Sequence, residues 1–151
     1  MPSIAEAIQQ RTFESPRQRV LINLLYTASQ CKAASAVALK PLGLTWQQFN
    51  VLRILRGQRG KPATMRLIAE RMLDRQSNAS RLVDKLEAKA WVARAACPED
   101  RRQVRMTLTP AGERLLVHAS AAVREAIAGF GAGMSDEELV ELSGLIDAFR
   151  G

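Results

Sequence analysis

The hydrophobic period of the chain changes from about 3.6 residues to two near residue 90, which limits the folds open to it. Before that point, a predicted helix over residues 76–89 has apolar side chains three and four positions apart, at Ala79, Leu82, Val83 and Leu86. After it, residues 91–95 and 103–109 are predicted strands, and the second places Val104, Met106 and Leu108 inward. A β-hairpin is therefore expected directly after a helix.

Helix-start motifs divide the rest of the chain. Ser15-Pro16 begins a long helix that Pro41-Leu42-Gly43 ends, and Thr45 with Gln48 forms a capping box for the next helix. Further caps open a short third helix and two helices after the hairpin, at Thr64, Thr109-Pro110 and Ser135-Asp136-Glu137-Glu138. The order is four helices, a hairpin and two helices, so the predicted fold is mainly α with a small β-hairpin.

The composition excludes several classes of protein. With 151 residues the chain is long enough for one domain, and two cysteines with one histidine cannot build a disulfide scaffold or a Cys/His zinc site. No segment resembles a signal peptide or a membrane span, so we expect a soluble cytoplasmic protein with no membrane partner.

Positive charge is concentrated in the middle of the chain. The net charge is +7, and residues 53–105 carry 14 basic and 6 acidic side chains, a local net charge of +8. A basic centre between less basic ends favours one anion-binding module, although an ordinary solvated face is the alternative.

An enzymatic function is not expected. The chain has no Gly-x-Ser-x-Gly motif, and Gly60-Lys61 is followed by Pro62 where a phosphate-binding loop needs Ser or Thr. The glycines of residues 129–133 follow a helix and lack the spacing of a dinucleotide-binding loop. We therefore predict no catalytic residue, no bound metal and no cofactor.

Two short helices followed at once by a hairpin with arginines at its tip are typical of a winged helix-turn-helix. In that fold the second helix reads the major groove, while its flanks and the hairpin bind phosphates. The candidate DNA-binding residues are Gln76, Ser77, Asn78, Ser80, Arg81, Lys85, Asp100, Arg101 and Arg102. Two alternatives remain: an Arg81–Asp84 ion pair, and tip arginines that only prevent strand-edge pairing.

From Leu44 to Leu116 the sequence resembles the MarR (multiple antibiotic resistance regulator) family of bacterial transcription factors. The residues that carry the resemblance are Leu67–Met72, Ser80–Glu87, and above all Asp100-Arg101-Arg102 followed by Leu108-Thr109-Pro110-Ala111-Gly112. The last group is similar to the Asp-x-Arg and Leu-Thr-x-x-Gly signature of the family's wing. The resemblance implies a single MarR-type domain, with residues 44–109 as the DNA-binding lobe and residues 1–43 and 110–151 as dimerisation helices.

The resemblance also implies roles for particular residues. Arg102 would enter the minor groove, Asp100 would orient it, and residues 76–89 would be the recognition helix. Two positions depart from the family: Leu73 stands where many members have the glycine of the turn, and Ala90 replaces the glycine that commonly ends the recognition helix. A non-glycine residue in a left-handed conformation costs about 1 kcal/mol.

Relatives commonly bind small, often anionic aromatic effectors, so the resemblance implies such a ligand here. Some relatives use a first-helix cysteine as a peroxide sensor, which makes Cys31 the candidate redox residue, although its place on an apolar stripe favours a core role. Cys97, near the tip arginines, is a second thiol to consider.

The function expected from the sequence is that of a homodimeric, sequence-specific regulator of transcription. It would act as an effector-responsive repressor on a pseudo-palindromic operator in double-stranded DNA. The alternatives are an architectural DNA binder with little sequence preference and a winged-helix module that binds protein.

Overall fold

The computed structural model of the protein describes residues 2–96 and 104–151. Within these residues the helices and strands are α1 (Ile4–Ala7), α2 (Pro16–Leu39), α3 (Trp46–Gly57), β1 (Ala63–Thr64), α4 (Met65–Arg71), α5 (Ala79–Ala88), β2 (Val92–Ala96), β3 (Val104–Leu108), α6 (Pro110–Ile127) and α7 (Asp136–Arg150). A 3-10 turn, Lys40–Leu42, separates α2 from α3. The mainly helical fold class is confirmed.

The predicted capping motifs mark the helix starts. At α3, the Gln48 N–H donates to the Thr45 hydroxyl oxygen at 3.2 Å, and the Thr45 N–H donates to the Gln48 side-chain oxygen at 3.0 Å. Ser135 and Glu138 form the same reciprocal pair at the start of α7. Both caps act within four residues of sequence, which is why the sequence predicts them well.

Three strands form the sheet, in the order β1-β3-β2, and both pairings are antiparallel. The predicted hairpin is confirmed, but β1 was not expected, because its two residues are too few to show alternation. The inward placement of Val104 is wrong: it is 45% exposed, whereas Met106 is fully buried. Val104 pairs with Ala96 at the end of the sheet opposite the buried Val92, so no helix covers it.

One core joins α3, α4, α5, the sheet, the end of α2 and the first half of α6. Its fully buried side chains include Leu39, Leu52, Ile68, Leu86, Met106 and Leu116. Most of the core therefore comes from residues 44–109, with Leu39 and Leu116 added by the flanking helices, and it holds α5 against the rest of the fold.

The terminal helices differ from the prediction in one respect. The apolar residues of α7 were expected to face inward, but none of them is buried in the single chain; Leu145 is 62% exposed. The stripe of α2 is similar, since Leu25 is 63% exposed and only Ser35 and Leu39 are buried. Within residues 2–96 and 104–151, these apolar side chains are left largely uncovered.

A short N-terminal helix, α1, was not predicted. The Ser3 N–H donates to a Glu6 carboxylate oxygen at 2.7 Å, and the Glu6 N–H donates to the Ser3 hydroxyl oxygen at 3.4 Å. The Ser3 N–H and the Ser3 hydroxyl, which donates to the same carboxylate oxygen at 2.8 Å, lower the pKa of the Glu6 carboxyl. Ile4 is buried, so a capping box and one apolar contact suffice for a single turn.

The start of α6 is packed directly against the backbone that follows α5. The Thr109 hydroxyl donates to the Ala90 carbonyl oxygen at 2.7 Å, and the Thr109 N–H donates to the Trp91 carbonyl oxygen at 3.2 Å. A Cβ atom on Gly112 would lie 2.0 Å from that Trp91 oxygen. The threonine and glycine of the Leu-Thr-x-x-Gly motif thus join α5, β2 and α6.

The two departures from the family pattern have different outcomes. Ala90 adopts a φ of 56°, the left-handed conformation that glycine favours, and it does so without a glycine's freedom. Leu73 does not have a positive φ and is 66% exposed. Of these two positions, only Ala90 therefore carries the expected cost of a left-handed conformation, about 1 kcal/mol.

Replacing Gly112 with Ala should destabilise the protein by about 3 kcal/mol, because the new methyl group overlaps a backbone oxygen that cannot rotate away. Urea unfolding followed by circular dichroism measures the change. Gly129→Ala is the matched control, since no atom lies within 4 Å of a Cβ there. Equal stability of the two variants would contradict the close approach of α6 to Trp91.

Candidate nucleic-acid interface

α5 begins later than its hydrophobic pattern predicts. The expected start at Gln76 is wrong, because Asn78 caps the helix: its side-chain oxygen accepts the Arg81 N–H at 3.0 Å. Gln76 and Ser77 instead lie in a turn, where their N–H groups donate to the Asp74 side chain and carbonyl oxygen, both at 3.1 Å. The cap leaves Asn78 exposed at the front of the helix.

The outer face of α5 brings three of the predicted residues together. Ala79, Val83 and Leu86 are buried, whereas Ser80, Arg81 and Lys85 are exposed on the opposite side. Arg81 and Lys85 are four positions apart, so their side chains emerge one turn from each other. This face presents one short hydroxyl group and two cations to solvent.

The predicted wing residues Asp100, Arg101 and Arg102 lie outside the described residues, as does Cys97. Their roles therefore stay predictions.

A cation on β2, which the sequence reasoning missed, pairs with two carboxylates of α5. The Arg94 guanidinium contacts the Asp84 carboxylate, and its Nε lies 3.2 Å from a Glu87 carboxylate oxygen. The Arg94 side chain is only 28% exposed. Arg94 lies two positions after the buried Val92, and residues two apart in a strand point to the same side of the sheet. The sequence therefore did contain a signal, an arginine on the side of β2 that faces α5.

These ion pairs decide between the alternatives for Arg81. Asp84 pairs with Arg94, so the alternative Arg81–Asp84 pair is not formed. Among residues 2–96 and 104–151, neither Arg81 nor Lys85 has a carboxylate within 4 Å. Both cations are therefore available to an anionic partner.

Lys89 and Trp91 fix the end of α5. The Lys89 ammonium lies 4.6 Å from the centre of the Trp91 ring and donates to the Gly43 carbonyl oxygen at 2.9 Å. Because Lys89 already makes these two contacts, it orients the end of α5 and is less available to bind an anion.

A groove of about 600 Å³ lies between α2 and the start of α3. Lys32, Lys40 and Trp46 are among its lining residues, so it combines two cations with an aromatic ring. At this groove the end of α2 meets the start of α3.

The thiol of Cys31 is half-buried on α2. Burial raises its pKa, which lowers the fraction of the reactive thiolate. This environment does not favour peroxide chemistry. Within the described ranges there is no cluster of three or more metal-ligating His, Cys, Asp or Glu residues, and no helix has the length and hydropathy of a bilayer span.

Known proteins share this sequence pattern. A family model described as the MarR family matches residues 42–103. The uncharacterized HTH-type transcriptional regulator YpoP of Bacillus subtilis (strain 168) is 36% identical over 75 residues, which cover 50% of this chain and 52% of that protein. The match therefore spans about half the length of this relative.

Solved structures share the fold over nearly the whole chain. The MarR transcription factor from Planctomyces limnophilus is 31% identical and has a TM-score of 0.68, with 91% of this chain and 99% of that chain covered. CouR from Rhodococcus jostii RHA1, solved with bound p-coumaroyl-CoA, is 24% identical and has a TM-score of 0.74, with 90% and 94% covered. The second likeness shows the fold alone. The predicted winged-helix fold is confirmed.

Replacing Asn78 with Ala should lower the stability of the free protein by about 1 kcal/mol, because the Arg81 N–H loses its acceptor. Asn78→Ser keeps a capping oxygen and should stay close to the wild type. Thermal and urea unfolding measure both changes. Ser80→Ala is the control, an exposed position that should change stability by less than about 0.5 kcal/mol. An Asn78→Ala variant as stable as Ser80→Ala would refute the cap.

Proposed function

The chain belongs to the MarR family of transcriptional regulators, and we propose that it acts as a homodimeric, effector-responsive repressor on a pseudo-palindromic operator. Members of this family are regulators of transcription rather than enzymes. In the proposed mechanism the dimer occludes a promoter, and an effector relieves repression by changing the distance between the two DNA-binding lobes.

The exposed cationic face of α5 is the observation that carries the proposal. Arg94 offsets one of the two negative charges of Asp84 and Glu87, so the two cations Arg81 and Lys85 outweigh the negative charge that remains on the helix. A helix with short polar side chains and unpaired cations suits the major groove, where bases and phosphates are both within reach.

We assign supporting roles to the other candidate residues. Gln76, Ser77, Asn78 and Ser80 surround the N-terminal end of α5, the end that a recognition helix directs at base edges. By the resemblance of the Asp-x-Arg motif, Arg102 enters the minor groove and Asp100 orients it, while Arg101 contacts phosphate.

Uncovered apolar surface supports the homodimer. Large hydrophobic side chains are exposed on the terminal helices at Val20, Leu21, Leu25, Val117, Ile127, Leu139, Val140, Leu142, Leu145 and Phe149. A soluble monomer rarely exposes so much apolar surface, and a symmetric dimer buries the same patch of both copies. Two lobes about 34 to 36 Å apart would then meet successive major grooves.

The groove between α2 and α3 is the proposed effector site. Lys32 and Lys40 attract an anion and Trp46 offers a ring for stacking, which suits the small aromatic anions that the family commonly binds. A ligand there would contact a dimerisation helix and the lobe together, and would thereby alter the angle between them.

Binding to DNA should be specific and strongly salt-dependent. Fluorescence anisotropy should show a preference of about a thousandfold or more for the protein's own upstream intergenic DNA over a shuffled duplex. Arg81→Gln and Arg102→Ala should each reduce the slope of log affinity against log salt by about one. Arg11→Gln, an equal charge change at an exposed residue before α2, should leave the slope unchanged.

Three results would count against this proposal. Equal affinity for both duplexes would favour an architectural DNA binder, and no affinity for either would favour a protein-binding module. An unchanged slope in Arg81→Gln would remove α5 from the interface.

The dimer makes a separate prediction. Leu145→Asp places a charge on the exposed face of α7 and should shift the sedimentation velocity profile from dimer to monomer. Leu73→Asp is the matched control, since Leu73 is similarly exposed, at 66% against 62%, but lies in the turn before α5. A Leu145→Asp protein that remains as dimeric as the control would refute this interface.

A further inference from the structure

A second concentration of positive charge lies outside the proposed DNA-reading face of α5. A cleft of about 470 Å³ opens between α3 and the C-terminal end of α4, and four arginines line it: Arg53, Arg56, Arg59 and Arg71. We call it the arginine cleft. Among the residues that the structure describes, neither an aspartate nor a glutamate lines this cleft.

The charge of the arginine cleft is only partly offset by the residues that the structure describes. In the part of the chain that the structure describes, none of the four guanidinium groups has a carboxylate within 4 Å. The C-terminal ends of α3 and α4 supply about half a negative charge each, which offsets about one of the four positive charges. Such a recess concentrates anions.

A buried amide forms part of the cleft wall. Asn50 is 5% exposed, and its side-chain nitrogen donates to the Met72 sulfur at 3.6 Å, which is a weak acceptor. A buried amide usually has stronger partners. Asn50 therefore retains donor capacity beside the arginines, while the neighbouring Ile54 closes the wall with apolar surface.

One of the arginines is held in place before any ligand arrives. The Arg53 guanidinium lies over the Phe49 ring, 5.8 Å from its centre. Arg59 has a φ of 53°, a left-handed conformation that costs a non-glycine residue about 1 kcal/mol. Strained residues concentrate at functional sites, and Arg59 lies in the exposed turn after α3.

We infer that the arginine cleft binds a small anion that carries at least two negative charges, on phosphate or carboxylate groups. Guanidinium groups pair with both in a forked, bidentate geometry, and the volume lies within the range of about 300 to 1,000 Å³ typical of small-ligand sites. The cleft shares no lining residue with the groove between α2 and α3. Arg71 and Leu73 also place it beside the turn that leads into α5.

Isothermal titration calorimetry of the full chain, without DNA and at constant ionic strength, tests the site with pyrophosphate and with citrate. The anion that binds more tightly shows whether the site prefers phosphate or carboxylate groups. We expect Arg53→Gln/Arg56→Gln to weaken that binding at least about tenfold. Arg17→Gln/Arg19→Gln is the matched control: both residues are exposed, and Arg19 lies over Phe13 much as Arg53 lies over Phe49. It should bind as the wild type does.

Other outcomes would overturn the inference. It fails if neither anion binds the wild type, or if both double variants bind equally well. Arg71→Gln, on the opposite wall, must weaken binding too, which separates a local site from damage to α3. If Arg53→Gln/Arg56→Gln instead lowers the salt slope of DNA binding by about two and leaves the small anions unaffected, the arginines contact DNA phosphates. Because the titrations contain no DNA, their result stands apart from the proposed regulation.

Discussion

The contact between the Trp91 carbonyl oxygen and the first turn of α6 holds the architecture together. That oxygen accepts the Thr109 N–H and occupies the space that a side chain at residue 112 would fill. Through this one atom the end of α5, the start of β2 and the start of α6 meet. Since α6 packs along α2, the same contact sets how the DNA-binding lobe joins the terminal helices.

The parts of the fold that depend on near neighbours in sequence were predictable. The caps at Thr45, Thr109 and Ser135 each act over three residues, and the structure places all three helix starts as expected. The start of α5 was misplaced because Gln76, Ser77 and Asn78 are all plausible in a first turn, and only the Asn78–Arg81 hydrogen bond distinguishes them. The strand β1 depends on pairing with β3, forty residues away, and two residues carry no pattern of their own.

In the candidate site, too, only the residues whose placement depends on near neighbours in sequence were predictable. Arg81 and Lys85 could be placed on an exposed helix face from periodicity alone. The role of Arg94 could not, because it depends on the distance between β2 and α5, and neither could the arginine cleft, whose residues come from α3, its following loop and α4. The exposure of α7 is a different case: its apolar stripe was predicted, but the described part of a single chain does not bury it.

The left-handed conformation of Ala90 narrows the substitutions that this position can accept during evolution. β-Branched residues such as valine or threonine would crowd the backbone there, whereas glycine, asparagine and aspartate tolerate it. The carbonyl oxygen of Ala90 itself accepts the Thr109 hydroxyl, so the backbone cannot relax to suit a new side chain. Substitution of Ala90 by glycine would therefore increase stability, whereas substitution by a β-branched residue would disrupt the contact between α5, β2 and α6.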